Sequence, residues 1–306
     1  MYSPNYRKII ENICKNIGVE FKILDVENEI FQLKYNGKCQ YIFSRRFPLN
    51  SEVASRLMDN KYQCSLVLSE NNIATLKYYK LCRMDSDNLI MGKSNFEIVY
   101  EIFTKHNKVV IKPNNSFEGN SVFLCHSSRD IEKNLYRAFQ KHKYLVASPY
   151  INIKNEYRVV FLDGVCKLIY KKIIAFVEGD GKSSVISLLK MNNLSKFIAS
   201  FEDPFYVPSE GEKLYTEWKH NLSLGATPEL IYSDTTKERL CILAKDAGAA
   251  IGCRFASIDI VEDVDNNFMV LEINSGVAMD QFIDKFENGS EISYQIYKSA
   301  IEKIFE

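Results

Sequence analysis

The chain has 306 residues, of which 46% are apolar and 25% charged. This profile is typical of a soluble globular protein and argues against an intrinsically disordered chain. Because its 39 basic and 39 acidic residues cancel, no overall field attracts it to nucleic acid or to an anionic membrane. No apolar run approaches the roughly 20 residues of a membrane span, and the first residues lack the apolar centre of a signal peptide. We therefore expect a cytoplasmic protein without nucleic-acid or membrane partners.

The eight cysteines and four histidines are scattered singly along the chain. No CxxC pair occurs, so residue spacing gives a zinc site little support. Most cysteines lie inside apolar segments, which indicates reduced and mostly buried thiols.

Residues 1–60 are predicted to form a small N-terminal α/β domain. Apolar residues at helical spacing begin the domain over 6–17. The dipeptide Asn36-Gly37 is a strong signal for a two-residue hairpin turn. Helical spacing returns over 51–71, with Ser51 as a candidate N-cap, and predicts a helix there. The strands predicted in between share alternating apolar residues and lie at 21–26, 30–35 and 39–43.

Two further units are expected, a small central one over 61–140 and a larger C-terminal one over 141–306. In the C-terminal unit, Asp163-Gly164 predicts a second hairpin between strands at 157–162 and 165–171. The other predicted elements are the strands 77–82, 108–112 and 144–147 and the helices 96–106, 184–190 and 235–251.

The strongest chemical signal is a hairpin near the end of the chain. With its turn at 265–266, the register sets Asp259 opposite Glu272. The same register sets Ser257 opposite Asn274, and strict alternation places Leu271 on the other, apolar face. Facing carboxylates repel each other, and a divalent cation would relieve the repulsion. Two carboxylates and an amide oxygen suit magnesium, although the pattern fits a solvated polar face of an amphipathic hairpin equally well.

The segment Leu271-Glu272-Ile273-Asn274-Ser275-Gly276, preceded by Asp259, resembles the metal-binding end of ATP-grasp ligases. That superfamily includes D-alanine–D-alanine ligase, glutathione synthetase and cyanophycin synthetase. Upstream, Asp59-Asn60-Lys61 is similar to the first nucleotide-binding lysine, and Val110-Ile111-Lys112-Pro113 with its small-residue loop resembles the second. Glu156-Tyr157-Arg158 resembles the segment behind the adenine hinge. Each motif is weak alone, but their order and spacing are specific, and the resemblance covers nearly the whole chain from residue 30 onward.

The stretch Gly179-Asp180-Gly181-Lys182-Ser183 resembles the cyanophycin-synthetase-like branch, in which a basic residue precedes a GDGK turn. A P-loop is rejected, because G-x-x-x-x-G-K-[ST] needs glycine at 176, where the chain has Phe176. Ser257 stands where some dipeptide ligases carry an arginine, with Arg254 nearby, and Ser275 replaces the familiar proline. These departures affect substrate identity more than nucleotide binding.

The resemblance implies an α/β (α+β) ATP-grasp fold, in which a small N-terminal α/β domain precedes two α+β subdomains that clamp ATP between antiparallel sheets. It implies that Asp259, Glu272 and Asn274 hold magnesium, usually two ions, with manganese as an alternative. Arg158 and Lys172 would stabilise charge on the transferred phosphoryl group or on the acyl phosphate. The residues implied to hold ATP are Lys61, Lys112, Ser116, Gly119, Ser121, Ala147, Tyr150 and Glu156.

Of the residues implied to hold ATP, the lysines would face the phosphates, the backbone of 147–150 the adenine, and Glu156 the ribose. A solvated lysine is the commoner role for this residue type on a strand. Across the Asp163-Gly164 hairpin, Glu156 opposite Lys171 could equally be an ordinary cross-strand ion pair.

The implied reaction is ATP-dependent ligation of a carboxylate to an amine through an acyl phosphate. Its partners would be small-molecule carboxylate and amine substrates, such as amino acids or a peptide, and a homodimer is compatible with the resemblance. The first alternative is a ligase that modifies a protein or ribosomal peptide, as the ribosomal S6 glutamate ligases do. A non-catalytic ATP-binding module is the second, and a hydroxyl kinase, for which no motif places a base, is the third.

Overall fold

The computed structural model describes residues 4–83, 92–115, 121–222 and 225–306, and antiparallel sheets organise this part of the chain. The N-terminal elements are α1 (Pro4–Asn16), β1 (Glu20–Asp25), β2 (Ile30–Tyr35) and β3 (Lys38–Phe43). The strands form a meander, and Asn36 and Gly37 take φ of 47° and 78° in the predicted tight turn. Phe31 and Leu33 belong to a core that also contains Tyr297, so this unit shares its interior with the C-terminal part of the chain.

The single helix expected after β3 is two helices, α2 (Glu52–Met58) and α3 (Lys61–Glu70). Asn60 accounts for the break, because its side-chain oxygen accepts from the Gln63 N–H at 2.9 Å and caps α3. The break makes Lys61 the first residue of α3.

The central unit is a four-stranded sheet with two helices on one face. Its elements are β4 (Tyr79–Cys82), α4 (Asn95–His106), β5 (Val109–Pro113), β6 (Phe123–Cys125), α5 (Ser128–Phe139) and β7 (Tyr144–Pro149). The strand order is β4-β7-β5-β6, and every neighbouring pair is antiparallel. β7 lies beyond residue 140, where we expect the C-terminal unit to begin, but it pairs with β4 and β5.

A second sheet and a small insertion account for most of the remaining described residues. Their elements are β8 (Ile153–Leu162), β9 (Val165–Ile173), β10 (Phe176–Glu178), α6 (Val185–Met191), a 3₁₀ helix (Ser195–Ser200), β11 (Lys213–Tyr215), β12 (Thr227–Leu230), α7 (Asp234–Ile251), β13 (Phe255–Asp263), β14 (Phe268–Asn274), α8 (Asp280–Lys285) and α9 (Gly289–Phe305). None of the helices in the described ranges combines the length and apolarity that crossing a membrane requires.

The five-stranded sheet, in the order β12-β9-β8-β13-β14, has differently covered faces. Helices α2, α3 and α7 pack on one face, over a core that includes Ile258 and Ile273. On the other face, Val160 and Tyr170 pack with the N-terminal unit, α8 and α9. The rest of that second face carries Asp259 and meets the four-stranded sheet, and we call this junction the cleft.

The small insertion contains β10, α6 and β11 and has its own apolar core beside β10 and α6. The GDGK segment forms a turn within this insertion. Asp180 Oδ1 accepts from the N–H groups of Lys182 and Ser183 at 2.9 and 2.6 Å and shapes the turn before α6. Gly179 binds the loop before β11, donating to Glu212 O at 2.8 Å and accepting from Gly211 N at 2.9 Å.

Gly179→Ala is expected to lower the free energy of unfolding by about 1–3 kcal/mol, the usual cost of overpacking. An added Cβ would lie 2.1 Å from Ser209 O, a backbone atom that cannot rotate away. Urea denaturation measures the effect. The control is Gly276→Ala, whose Cβ would meet its nearest atom, Arg45 Cβ, at an ordinary 3.5 Å. Equal stability of both variants would contradict the steric account.

Candidate functional site

Both predicted pairs of facing side chains in the C-terminal hairpin are confirmed. Asp259 lies opposite Glu272, and Ser257 lies opposite Asn274, across β13 and β14. These side chains line the cleft, where Asp259 is only 2% exposed. The Ser257 hydroxyl is buried without a hydrogen-bond partner among the described residues.

A β-bulge at Leu271 changes which side chains face the cleft. Asp259 pairs with Glu272, but the next residue, Ile260, pairs with Val270, so Leu271 is the extra residue of β14. Strict alternation places Leu271 with the core side chains, and this prediction is wrong. Leu271 packs with Tyr78 at the cleft, and its carbonyl accepts from Tyr78 Oη at 2.9 Å.

A second bulge changes the partner expected for Glu156. Lys167 has no partner in the ladder between β8 and β9, which shifts the preceding pairs by one residue. Tyr157, rather than Glu156, therefore lies opposite Lys171. Glu156 forms its ion pair with Lys172 instead, at 2.5 Å from Nζ to Oε1.

Two cations hold Asp259 in its ionised form. Arg158 binds it through two parallel hydrogen bonds, with Nε to Oδ1 and Nη2 to Oδ2 both at 2.8 Å. Lys172 Nζ lies 3.0 Å from Asp259 Oδ2. Burial alone would raise the pKa of Asp259, but Arg158 and Lys172 hold that pKa well below its usual range. Burial likewise opposes the charge of Lys172, yet Asp259 and Glu156 raise its pKa above the ordinary value.

Glu272 is the most accessible carboxylate of the cleft, with its side chain 22% exposed. Lys61 Nζ lies 3.3 Å from its Oε2, and Asn274 Nδ2 donates to its Oε1 at 3.4 Å. Burial raises the pKa of Glu272, but Lys61 and Lys112 outweigh that effect, and the net pKa is lowered.

Lys112 is a buried cation whose hydrogen-bond partner is neutral. Its Nζ donates to Tyr78 Oη at 2.7 Å, and the residue is only 8% exposed. Burial lowers its pKa to about 8, and the nearby positive charge of Lys61 acts in the same direction. A phosphate oxygen at this place would restore the preference of Lys112 for its charged form.

These side chains form one group, which we call the cleft cluster. It combines four cationic side chains, three carboxylates and one amide. Its members are Lys61, Lys112, Glu156, Arg158, Lys172, Asp259, Glu272 and Asn274. The sequence-predicted residues that the structure brings together are these eight.

Within the cleft cluster, repulsion between carboxylates alone does not require a metal ion. The repulsion between Asp259 and Glu272 is already offset by Arg158, Lys172 and Lys61. Among the described residues, no three His, Cys, Asp or Glu side chains gather as a metal site. The donors nevertheless fit magnesium, because two ionised carboxylates and an amide supply the oxygen ligands that it prefers.

The apolar wall of the cleft was missed by sequence reasoning. Val146 and Tyr78 pack against Leu271 there and join the two sheets. The alternation of β7 could have indicated this wall, because Val146 lies opposite Lys112 in the ladder and so faces the same side of the sheet. Ala147 points the other way, into the core beneath α4 and α5.

The remaining predicted ATP-binding residues lie outside the cleft cluster. Tyr150 directly follows β7 and contacts Trp218 edge-on, with ring centroids 6.1 Å apart. Ser121 Oγ lies 3.4 Å from His142 Nε2. Ser116 and Gly119 lie outside the described residues.

Arg254 does not take the place of an arginine at position 257. Its guanidinium binds Asp163 through two hydrogen bonds of 2.7 and 2.8 Å at the start of β13, away from the cleft cluster.

Comparison with known proteins supports the fold that was expected from the sequence. The chain is 28% identical over 180 residues to the glutathione biosynthesis bifunctional protein GshAB of Streptococcus mutans, covering 58% of this chain and 22% of that protein. The bifunctional glutathione synthetase of Pasteurella multocida superimposes with a TM-score of 0.58 at 17% identity, over 96% of this chain and 44% of that one. D-alanine–D-alanine ligase of Bacillus anthracis in complex with ATP gives a TM-score of 0.54 at 17% identity, over 83% and 67%.

No family model matches the chain. The chain spans between about a fifth and a little over a third of the curated relatives that it matches, 22% of one and 36% of another. The structural likenesses confirm the ATP-grasp fold expected from the sequence.

Proposed function

We propose that this chain is an ATP-dependent ligase that joins a carboxylate to an amine through an acyl phosphate. The observation that carries the proposal is the cleft cluster, in which the positive charges outnumber the carboxylates by one. Such a group accommodates a polyphosphate accompanied by a divalent cation. The glutathione-synthesising and D-alanine-joining activities named for the similar proteins support the same class of reaction.

The reaction begins with in-line attack of a carboxylate oxygen on the γ-phosphorus of ATP, and ADP leaves. The amine then attacks the carbonyl carbon of the acyl phosphate, loses a proton, and phosphate leaves. This sequence needs no covalent enzyme nucleophile, so the cysteines of the chain have no part in it.

The charged residues of the cleft cluster have separate roles in this reaction. Lys61 and Lys112 neutralise phosphate oxygens as point charges. Arg158 and Lys172 stabilise the transferred phosphoryl group, and Asp259 orients both of them. The ribose contact expected for Glu156 stays a prediction beside its pairing with Lys172.

Magnesium would be held by Asp259, Glu272 and Asn274, and when bound it would neutralise phosphate charge. Manganese offers the same oxygen-directed chemistry. The apolar wall of Val146, Tyr78 and Leu271 suits the adenine ring. The substrates are proposed to be amino acids or a small peptide, as the names of the similar proteins suggest.

The test is ADP release by the purified protein over a panel of amino acids and short peptides, with magnesium and ATP. We expect ADP to form only with particular carboxylate and amine pairs, and the product mass to equal their sum less one water. Product on a protein acceptor alone would favour the protein-modifying alternative. ATP binding without ADP formation across the panel would contradict catalysis.

Lys172→Met is expected to lower ADP release by about 100-fold or more, as removal of a preorganised electrostatic contact does. Lys171→Met is the matched control, because Lys171 is the neighbouring lysine of β9 and is not part of the cleft cluster. Steady-state rates of the two variants measure the difference. Equal losses would show that Lys172 has no special role.

A further inference from the structure

Three side chains from distant parts of the sequence form a closed hydrogen-bonded triangle beside the cleft cluster. Asp59 Oδ2 accepts from Arg46 Nη2 at 2.7 Å, and Asp59 Oδ1 accepts from Ser275 Oγ at 2.8 Å. Arg46 Nε donates to Ser275 Oγ at 3.0 Å and closes the ring. The Ser275 backbone N–H also points to Asp59 Oδ1, at 3.3 Å. We call these residues the Asp59 triangle.

The triangle fixes the exit of β14. The ladder with β13 runs as far as Asn274, and Ser275 is the next residue. Ser275 is only 1% exposed, so water cannot readily replace its bonds to Asp59. Asp59 therefore holds the peptide that joins Asn274 to Ser275.

The triangle also fixes the start of α3. Asp59 is the C-cap of α2, and Lys61 begins α3 two residues later. Lys61 Nζ reaches Glu272 Oε2 at 3.3 Å. Asp59 thus holds both sides of this contact, the helix that carries Lys61 and the strand end next to Glu272.

The triangle restrains the backbone at Ser275, the position where the ATP-grasp motif usually has a proline. Proline would restrict the backbone through its fixed φ. Ser275 is restrained instead by hydrogen bonds from its side chain and its backbone to Asp59, and by Arg46 from the turn after β3.

We infer that Asp59, with Arg46 and Ser275, is a positioning residue that sets the relative placement of Lys61, Glu272 and Asn274. The inference rests on the proposed function and deepens it. Removing residues that orient metal ligands typically costs ten- to a hundredfold in metal affinity. The Asp59 triangle therefore controls how tightly the site binds ATP together with magnesium.

The test is equilibrium binding of ATP, measured by calorimetry with saturating magnesium and without magnesium. Asp59→Ala is expected to reduce the magnesium-dependent gain in ATP affinity about tenfold or more. Asp59→Asn should lose less, because an amide oxygen can still accept from Ser275. Ser275→Ala is a milder change that keeps the test valid if Asp59→Ala does not fold. Arg254→Gln is the control, since it removes an ion pair with Asp163 away from the cleft cluster.

Unchanged magnesium-dependent affinity in the Asp59→Ala and Ser275→Ala variants would overturn the inference. An equal loss of affinity with and without magnesium, in step with a lower Tm, would also overturn it, because a purely structural role predicts that pattern. If the wild-type protein does not bind ATP with magnesium, the proposed function fails and the inference fails with it. Normal wild-type binding with unaffected variants would reject the inference alone.

Discussion

Asp259→Asn combined with Glu272→Gln is expected to lower ADP release by about 1,000-fold or more, the upper range for losing preorganised electrostatic contacts. Both proposed carboxylate ligands of magnesium would become neutral amides. The orientation of Arg158 and Lys172 would weaken as well, because Asp259 binds both. Steady-state assays over a range of magnesium concentrations measure the loss, and turnover at the wild-type level would contradict the metal assignment.

Asp259→Asn alone is also expected to destabilise the protein, by about 3–5 kcal/mol, because removing one partner of a buried ion pair leaves uncompensated charge. Chemical denaturation measures the change. Glu262→Gln is the control, since Glu262 is a buried carboxylate of the same strand that binds Tyr157 and Lys154 instead. We expect this control to lose stability but keep its turnover. If Glu262→Gln also lost turnover, lower stability alone would explain a loss of turnover in Asp259→Asn.

Lys112→Met is expected to weaken ATP binding and turnover by roughly 100- to 1,000-fold and, at the same time, to stabilise the nucleotide-free protein. The folded-state pKa of Lys112, about 8, lies below its ordinary value of 10.5. At neutral pH this shift corresponds to a cost of about 3 kcal/mol for keeping the buried lysine charged. Methionine fills a similar volume without that cost, so the two effects have opposite signs.

The same shift sets a pH dependence for the nucleotide-free protein. Between about pH 8 and pH 10.5 the unfolded chain holds the Lys112 proton more tightly than the folded chain. The contribution of Lys112 to the free energy of unfolding therefore rises with pH in this window, and Lys112→Met should abolish that rise. Lys80→Met is the control, because Lys80 is an exposed lysine of the same sheet. Identical stability profiles of the two variants would contradict the account.

The facing pairs of the C-terminal hairpin could be predicted, although the register next to the turn could not. A turn at 265–266 with strict alternation places Asp259 opposite Glu272, but the pairs nearer the turn centre on Asp265, and the extra residue Leu271 restores the predicted pairing. The two bulges could not be predicted in this way. A single extra residue at Lys167 or Leu271 changes pairing without changing apolar composition, so the partner of Glu156 and the side of Leu271 were wrong.

Contacts between residues far apart in the sequence could not be predicted either. The motifs containing Lys61 and Lys112 could be read singly, but not their shared surroundings. Tyr78 carries no motif, yet its hydroxyl connects Lys112 to the carbonyl of Leu271. The Asp59 triangle could not be predicted for the same reason, because Arg46 and Ser275 are 229 positions apart.

The shared core of the N-terminal unit has a consequence for the order of events on the ribosome. Phe31 and Tyr6 are packed against Tyr297 and its neighbours, which are synthesised more than 250 residues after β3. At about 5–20 residues per second, the nascent meander waits for tens of seconds before its apolar face can be covered. During that interval the first strands are a substrate for chaperones or for misassociation, and α9 acts as the late-arriving element that ends their exposure.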